Sequence, residues 1–350
     1  MKKKNYKVVI IGAGPSGISC ALNLLKEGIK DILIIEKSKF PRYKCCAGYI
    51  TNKTKKAYET LGLDIQKCHY SLIKDFNILY QYQKRQTIEN KFLYTNKVID
   101  RVELDDRFFK LAKKKKIKIL EETKVLKHDI EKNELFLSNK ETINYDYLVC
   151  ADGTTGFSSK YQQAKKKNIA LQLIIKDDTQ EKIDIHFGIT KKGYGWVSSC
   201  NGYTNIGLTD VYNPKLNYNK IFQEFLDKLN IKADITKLTG AFTPIGIRTP
   251  IINNNIFFVG DALGACDPLT LSGLRYGLKS GEVCAKSMKE KNPKTFLKYA
   301  NSLKIKFKLM EIFQNIFYLK FILFAIFNIG CRFFSKLISF VFNNFFVNKK

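Results

Sequence analysis

Histidine is scarce in this chain. His69, His128 and His186 stand far apart with no metal-ligand spacing, which argues against a histidine metal centre. No CxxC pair occurs among the nine cysteines, and Cys45 and Cys46 are adjacent, which disfavours a disulfide between them. An odd count with no framework fits a reducing cytoplasm better than a secretory route. There is no Walker-type loop and no GxSxG nucleophile elbow, which argues against those two chemistries. Internal repeats and long linkers are absent as well. Acidic residues are few: 32 Asp+Glu against 60 Lys+Arg leave a formal net charge of +28. Such an excess suggests an anionic partner, nucleic acid or a membrane surface. An AT-rich coding bias toward Lys, Ile, Asn, Phe and Tyr gives the same charge with no partner at all. No nucleic-acid motif accompanies it, and the lysine run 113–118 reads as a solvated helix end.

What is present is globular. The 350 residues are 45% apolar and 26% charged, enough for one large domain or two ordinary ones. The lysine-led N-terminus superficially resembles a signal peptide, but Gly12, Gly14, Pro15 and Gly17 soon break its apolar run. Residues 6–11 therefore read as a buried strand, 15–27 as a helix and 32–35 as a second strand. Helices are expected over 52–61 and 105–115, with strand-like stretches between 72 and 98. Further strands are expected at 117–125, 134–137 and 147–150. From 171 to 208 short strands and turn residues indicate a second sheet. A buried strand at 256–259 leads to a helix from about 273 to 288. The lysine-rich segment 286–308 has a helical pattern, and 309–346 is crowded with Phe, Ile and Leu. Its longest uncharged run, between Lys320 and Arg332, is too short for the roughly 20 residues a spanning helix needs. An interfacial helix backed by basic residues fits better; the alternative is that these aromatics close the core or a dimer interface.

The strongest local signal is Gly12, Gly14 and Gly17 in GxGxxG spacing, between a predicted strand and a predicted helix. Gly12 permits the tight turn, and Gly14 lets backbone approach a pyrophosphate. Gly17 allows close helix–strand packing, and the helix N-terminus favours the anion. Glu36, ending the next strand, suits a ribose diol. This pattern leaves NAD and FAD both open.

Five further segments resemble the geranylgeranyl reductase family of flavoproteins, in that family's order. Phe40, Pro41, Arg42, Lys44, Cys46 and Gly48 are similar to its FPR-x-K-x-CGG segment. Arg101, Leu104, Asp105 and Phe108 resemble R-x-x-F-D-x-x-L. The strand ending at Asp152 and Gly153 resembles a second flavin motif, and Gly193, Tyr194 and Trp196 resemble GY-x-W. Gly260, Asp261, Gly264, Asp267, Pro268 and Gly273 resemble GDAAG-x-x-DP-x-x-x-x-G. Ala47, Thr154, Thr155, Gly156, Ser198, Ser199 and Ser272 depart from the family pattern.

The resemblance implies an FAD cofactor and a set of roles. Arg42 and Arg101 would contact phosphate or ribityl oxygens, and Asp261 the ribityl hydroxyls. Asp152 and Gly260 would belong to the cofactor site. Pro268 and the turn to Gly273 would lie against the flavin ring, with backbone N–H groups stabilising its reduced anion. Cys46 would border the substrate side, as a functional thiol or a small buried hydrophobe. Tyr194 and Trp196 would wall an apolar cavity; for Trp196 plain core packing is the alternative.

The expected fold is α/β: a Rossmann-like FAD-binding domain (1–70, 96–165 and 245–288) interrupted by a mainly antiparallel β-sheet substrate domain (71–95 and 166–244). A basic, then aromatic-rich helical tail covers 289–350. The expected activity is reduction of a carbon–carbon double bond in a prenyl lipid by hydride from reduced flavin. NAD(P)H or a ferredoxin-like protein would be the electron donor. The expected location is cytoplasmic, peripheral on the inner face of an anionic membrane. Two alternatives stay open: a flavin monooxygenase or halogenase, and a non-catalytic flavoprotein that docks on membrane or nucleic acid.

Overall fold

The computed structural model describes residues 4–73, 75–89, 97–163, 166–176 and 182–324. The first strand, Lys4–Ile11, ends in four consecutive buried residues, Val8 to Ile11. An unbroken apolar run of this kind suits a parallel strand covered on both faces. It lies between Ile32–Ile35 and Thr142–Cys150, parallel to both. Lys118–Leu120 and Ile256–Phe258 extend the parallel array on its two sides. A hairpin of Val125–Asp129 and Glu134–Leu137 joins the sheet antiparallel through Thr142–Cys150.

Helices pack on this sheet, and two of them approach very closely. Pro15–Lys26 and Leu274–Lys289 meet where Gly281 faces Ser16 and Cys20; a Cβ on Gly281 would sit 2.6 Å from the Ser16 carbonyl oxygen. The Ser19 hydroxyl donates to the Leu278 carbonyl at 2.7 Å across the same seam. Another helix, Arg101–Lys114, starts four residues earlier than expected because Asp100 caps it, accepting from the Val102 and Glu103 N–H groups.

The second sheet has seven strands, in the order Thr239–Pro244, Lys167–Lys176, Tyr203–Val211, Tyr194–Cys200, Lys182–Phe187, Asp75–Tyr80, Gln83–Glu89. All its pairings are antiparallel except Lys182–Phe187 with Asp75–Tyr80. A helix not anticipated from the sequence, Tyr218–Lys228, covers one face by burying Phe222, Phe225 and Leu226 against Leu173, Ile206 and Leu208. A small sheet of Tyr49–Ile50, Lys97–Ile99 and Tyr70–Leu72 completes the β structure. The architecture is the expected α/β class: a Rossmann-type parallel sheet, a largely antiparallel second sheet, and helices at the C-terminal end.

The C-terminal segment breaks at Asn292, whose side chain caps the 25-residue helix Pro293–Phe317. Phe296 packs on Phe257 and Phe307 on Tyr276. At its far end Phe317 and Tyr318 reach Phe187 of the second sheet. The beginning of the aromatic segment therefore closes the protein's own core, as far as Leu323 of the short helix Lys320–Phe324. The rest of that segment, 325–350, lies outside the described residues. Among the described residues no helix is long and apolar enough to cross a membrane.

Candidate active site

A cavity of about 940 Å³ opens between the carboxyl ends of the parallel strands, at Ile11, Ile35 and Ala151, and the second sheet. That is near the top of the roughly 300–1,000 Å³ range of small-molecule sites. Carboxyl strand ends are where open α/β sheets bind ligands. Of the residues singled out in the sequence, Gly12, Gly14, Glu36, Arg42, Cys46, Arg101, Asp152, Asp261 and Gly273 all line this one cavity. Gly17, Tyr194, Trp196, Gly260 and Pro268 are not among the residues that line it.

The glycine turn has the geometry its spacing requires. Gly12 has φ +103°, and a Cβ there would meet the Ala151 carbonyl oxygen at 2.6 Å. A Cβ on Gly17 would fall 2.0 Å from the Gly12 oxygen, so helix and turn touch backbone to backbone. Gly14 precedes the helix Pro15–Lys26 without a side-chain cap and faces Arg42. The uncapped N–H groups and the positive helix end thus face the cavity. Glu36 is buried and accepts from the Ala13 and Ser38 N–H groups at 2.8 and 2.9 Å. A carboxylate offers about four lone-pair sites, so acceptor capacity remains on the cavity side.

Beside the helix end lies an excess of buried positive charge. Arg101 donates to Asp105 at 2.9 Å, and Arg42 stands 3.9 Å from the other Asp105 oxygen. Burial disfavours the Arg101 charge, but Asp105 more than offsets this and holds the guanidinium above its ordinary value. Two guanidiniums share one carboxylate, and Arg101 Nε has no hydrogen-bond partner among the described residues. An orphaned buried donor calls for an acceptor. A pyrophosphate at the helix N-terminus supplies one, so the residues present fit a dinucleotide cofactor.

The two aspartates differ in what they do. Asp152 accepts both the N–H and the hydroxyl of Ser158, and a Cβ on Gly156 would strike its carboxyl group. It is held inside its own turn, where burial raises its pKa. Asp261, in the turn after Ile256–Phe258, stands 3.8 Å from Lys44 Nζ. Gly260 behind it has φ +60° and gives its N–H to Ser280; a side chain there would collide with Ser16.

The turn from Asp267 to Gly273 binds most of its own N–H groups. Asp267 accepts from the Leu269 and Thr270 N–H groups, the Leu271 N–H goes to the Asp267 carbonyl, and the Ser272 N–H to the Thr270 hydroxyl. These N–H groups are therefore committed within the turn. Leu271, at φ +54°, and Gly273 reach the cavity. The Tyr194 hydroxyl donates to the Thr270 carbonyl at 2.9 Å, and Gln314 of the C-terminal helix to the Pro268 carbonyl at 3.0 Å.

Residues 43–48 form a strap across the second sheet. The Cys46 N–H donates to Gln172 at 2.7 Å, and the Cys46 carbonyl accepts from Asn205 at 2.9 Å. Asn205 in turn accepts from the Trp196 indole, whose ring packs so tightly on Gly207 that a Cβ there would lie 2.0 Å away. Trp196 thus supports Cys46 through Asn205. Burial, with Cys46 beside it, pushes the Cys45 thiol up to about 12. The sheet side of the cavity is lined by small residues, Ala170, Gly240 and Ala241, with Phe242 beside them. Gln172, Asn205 and Gln314 escaped the sequence reading; a glutamine inside the apolar strand Lys167–Lys176 was the one signal available.

Comparison with known proteins places these features in context. Residues 6–183 match the family described as pyridine nucleotide-disulphide oxidoreductase. An uncharacterised protein of Methanosarcina barkeri is 30% identical over 292 residues, covering 81% of this chain and 74% of that one. The digeranylgeranylglycerophospholipid reductase of Methanococcus vannielii is 26% identical, covering 83% of this chain and 79% of that one. A geranylgeranyl bacteriochlorophyll reductase-like protein of Thermoplasma acidophilum has a similar fold, with TM-score 0.76, 21% identity, and 91% and 89% of the two chains covered.

Proposed function

The chain belongs to the pyridine nucleotide-disulphide oxidoreductase family and is an FAD-dependent oxidoreductase; on that premise we propose that it reduces carbon–carbon double bonds of a prenyl lipid. One observation carries this reading: a single cavity joins a charged dinucleotide cradle to an apolar floor of small residues. The name of the Methanococcus relative supports the substrate class. FAD, when bound and reduced, supplies a hydride to one alkene carbon while a proton reaches the other.

The chain's own groups bind, orient and exclude. Arg42, Arg101 and the N–H groups after Gly14 hold the phosphates, Gly12 and Gly17 shape the turn, and Glu36 takes the ribose diol. Asp261, with Gly260 and Gly273 shaping its turn, takes the ribityl hydroxyls, and Asp152 keeps the loop after it closed. Cys46 borders the substrate, held there by Gln172 and by Asn205 and Trp196. Tyr194 fixes the turn at Thr270, and Pro268 anchors that turn to the C-terminal helix. An isolated alkene offers no polar handle, so its binding comes from apolar burial at roughly 25 cal/mol per Å². We assign the cofactor to residues 1–70, 96–165 and 245–288, and the substrate to the sheet of 71–95 and 166–244. NAD(P)H or a ferredoxin-like protein is the proposed donor, and the cytoplasmic face of a membrane the proposed place of work.

The test is anaerobic. The reduced protein is mixed with a geranylgeranyl lipid while flavin absorbance and lipid mass are followed together. Reoxidation with a gain of two hydrogens per double bond is expected. Reoxidation only on admission of air, with an oxygenated product, would overturn the reading in favour of a monooxygenase.

A further inference from the structure

The helix Pro293–Phe317 is apolar on two opposite faces. Phe296, Ala300, Leu303, Phe307 and Gln314 are buried against the protein. The other face exposes Ile305, Leu309, Ile312, Phe313 and Ile316, with Leu319 just beyond the helix end; Ile305 is 67% and Leu309 59% exposed. Residues 305, 309, 312 and 316 follow one another at steps of four and three, which puts them in a single row on the helix, and Leu319 follows just past its end. Exposed apolar residues scattered singly need no explanation, whereas a contiguous row does.

Charge identifies the occupant. From 293 to 320 the sequence carries Lys294, Lys298, Lys304, Lys306, Lys308 and Lys320 against one acid, Glu311. Steps of four and three also describe a coiled-coil seam, so a second copy of this chain is the obvious rival. Two such helices, however, would set lysines against lysines along the seam, with Glu311 alone to relieve them. An anionic bilayer removes that repulsion: apolar side chains enter the acyl boundary while lysines meet acidic headgroups.

We propose that the row from Ile305 to Leu319 is the surface by which the protein lies on an acidic phospholipid membrane. This rests on the peripheral membrane reading above and names its surface. The helix keeps its buried face on the protein core, so docking needs no rearrangement of the fold.

The test uses the full chain, loaded with FAD, and flotation with vesicles of phosphatidylglycerol and phosphatidylcholine in equal parts. Vesicles of phosphatidylcholine alone serve as the reference. The protein should float with the acidic vesicles, remain behind with the neutral ones, and be released near 1 M salt, where the Debye length shrinks to about 3 Å. Leu309→Gln/Ile312→Gln/Ile316→Gln should weaken binding by about tenfold or more, since partition scales with buried apolar area. Lys304→Glu/Lys308→Glu, which keeps the row intact, should abolish the preference for acidic vesicles. Undiminished binding by both variants would overturn the proposal. So would a wild-type dimer that the triple variant turns into a monomer, because the row would then be a seam between copies. A lower melting temperature of the triple variant without vesicles would likewise overturn it, because the row would be covered by the chain itself. Because the vesicles hold no isoprenoid, failure here is separable from failure of the prenyl-substrate reading.

Discussion

Glu36 does two jobs with one carboxylate. It holds the glycine turn through the Ala13 and Ser38 N–H groups, and it lines the cavity. Glu36→Ala removes the ribose acceptor, and hydrogen bonds to charged groups are worth about 1.5–3 kcal/mol. FAD affinity should therefore fall roughly ten- to hundredfold, measured by flavin retained through gel filtration. Full retention would remove Glu36 from the cofactor site. Residues of this kind were legible because their chemistry is tied to neighbours in sequence: Gly12, Gly14 and Gly17 with a strand before and a helix after. Gln172 and Asn205 were not, because they act on Cys46 from 126 and 159 residues away. For Trp196, the tryptophan of the GY-x-W match, the resemblance implies a cavity wall, with plain core packing as the alternative. Its partner Asn205 shows it working one step further back.

At the scale of elements, one close joint is the crossing of Pro15–Lys26 and Leu274–Lys289. The Cβ of Gly281→Ala would stand 2.6 Å from the Ser16 oxygen and 2.7 Å from the Cys20 nitrogen, both backbone atoms. The helices must separate to admit it, at the cost of about 1–3 kcal/mol typical of overpacking. Thermal unfolding should report that loss, whereas Glu282→Ala on the exposed side of the same helix should leave the midpoint nearly unchanged. Equal midpoints for the two variants would mean that the joint yields freely. Most elements could be located in advance because apolar runs and glycine stops are local signals. Tyr218–Lys228 was missed: its buried residues Phe222, Phe225 and Leu226 are few, and their meaning comes from the sheet they cover. The helix end expected near 288 falls at Lys289, whereas the Asn292 cap of the next helix is hidden by a lysine-rich composition that runs unchanged through it.

For the whole molecule, stability should depend on acid through His128, which ties the hairpin to the rest of the fold between Tyr145 and Tyr161. Burial, then the charge of Lys160, push its pKa from 6.5 down to about 4. Between those values the unfolded chain binds a proton that the folded chain refuses, so stability rises with pH there. The contribution is complete above 6.5 and is lost as pH falls toward 4. The melting temperature of the wild type should drop more steeply across that window than that of His128→Phe. Parallel curves would show that His128 titrates alike in both states. The two-sheet plan could be read from the sequence because three of the cofactor strands, Lys4–Ile11, Thr142–Cys150 and Ile256–Phe258, run into a glycine or an Asp-Gly or Gly-Asp pair. The seat of the C-terminal helix could not, since Phe317 and Tyr318 meet a strand, Lys182–Phe187, far back in the chain.

The strap at Cys46 also sets a timetable for synthesis. The glycine turn and Glu36 leave the ribosome first, yet Cys46 is fastened only by Gln172 and Asn205, and the far wall is supplied by Asp261, Gly273 and Leu274. A nascent chain that stops short of residue 274 carries the whole phosphate turn and no enclosed pocket. Enclosure of the cofactor site therefore waits until the chain has been made at least as far as Leu274.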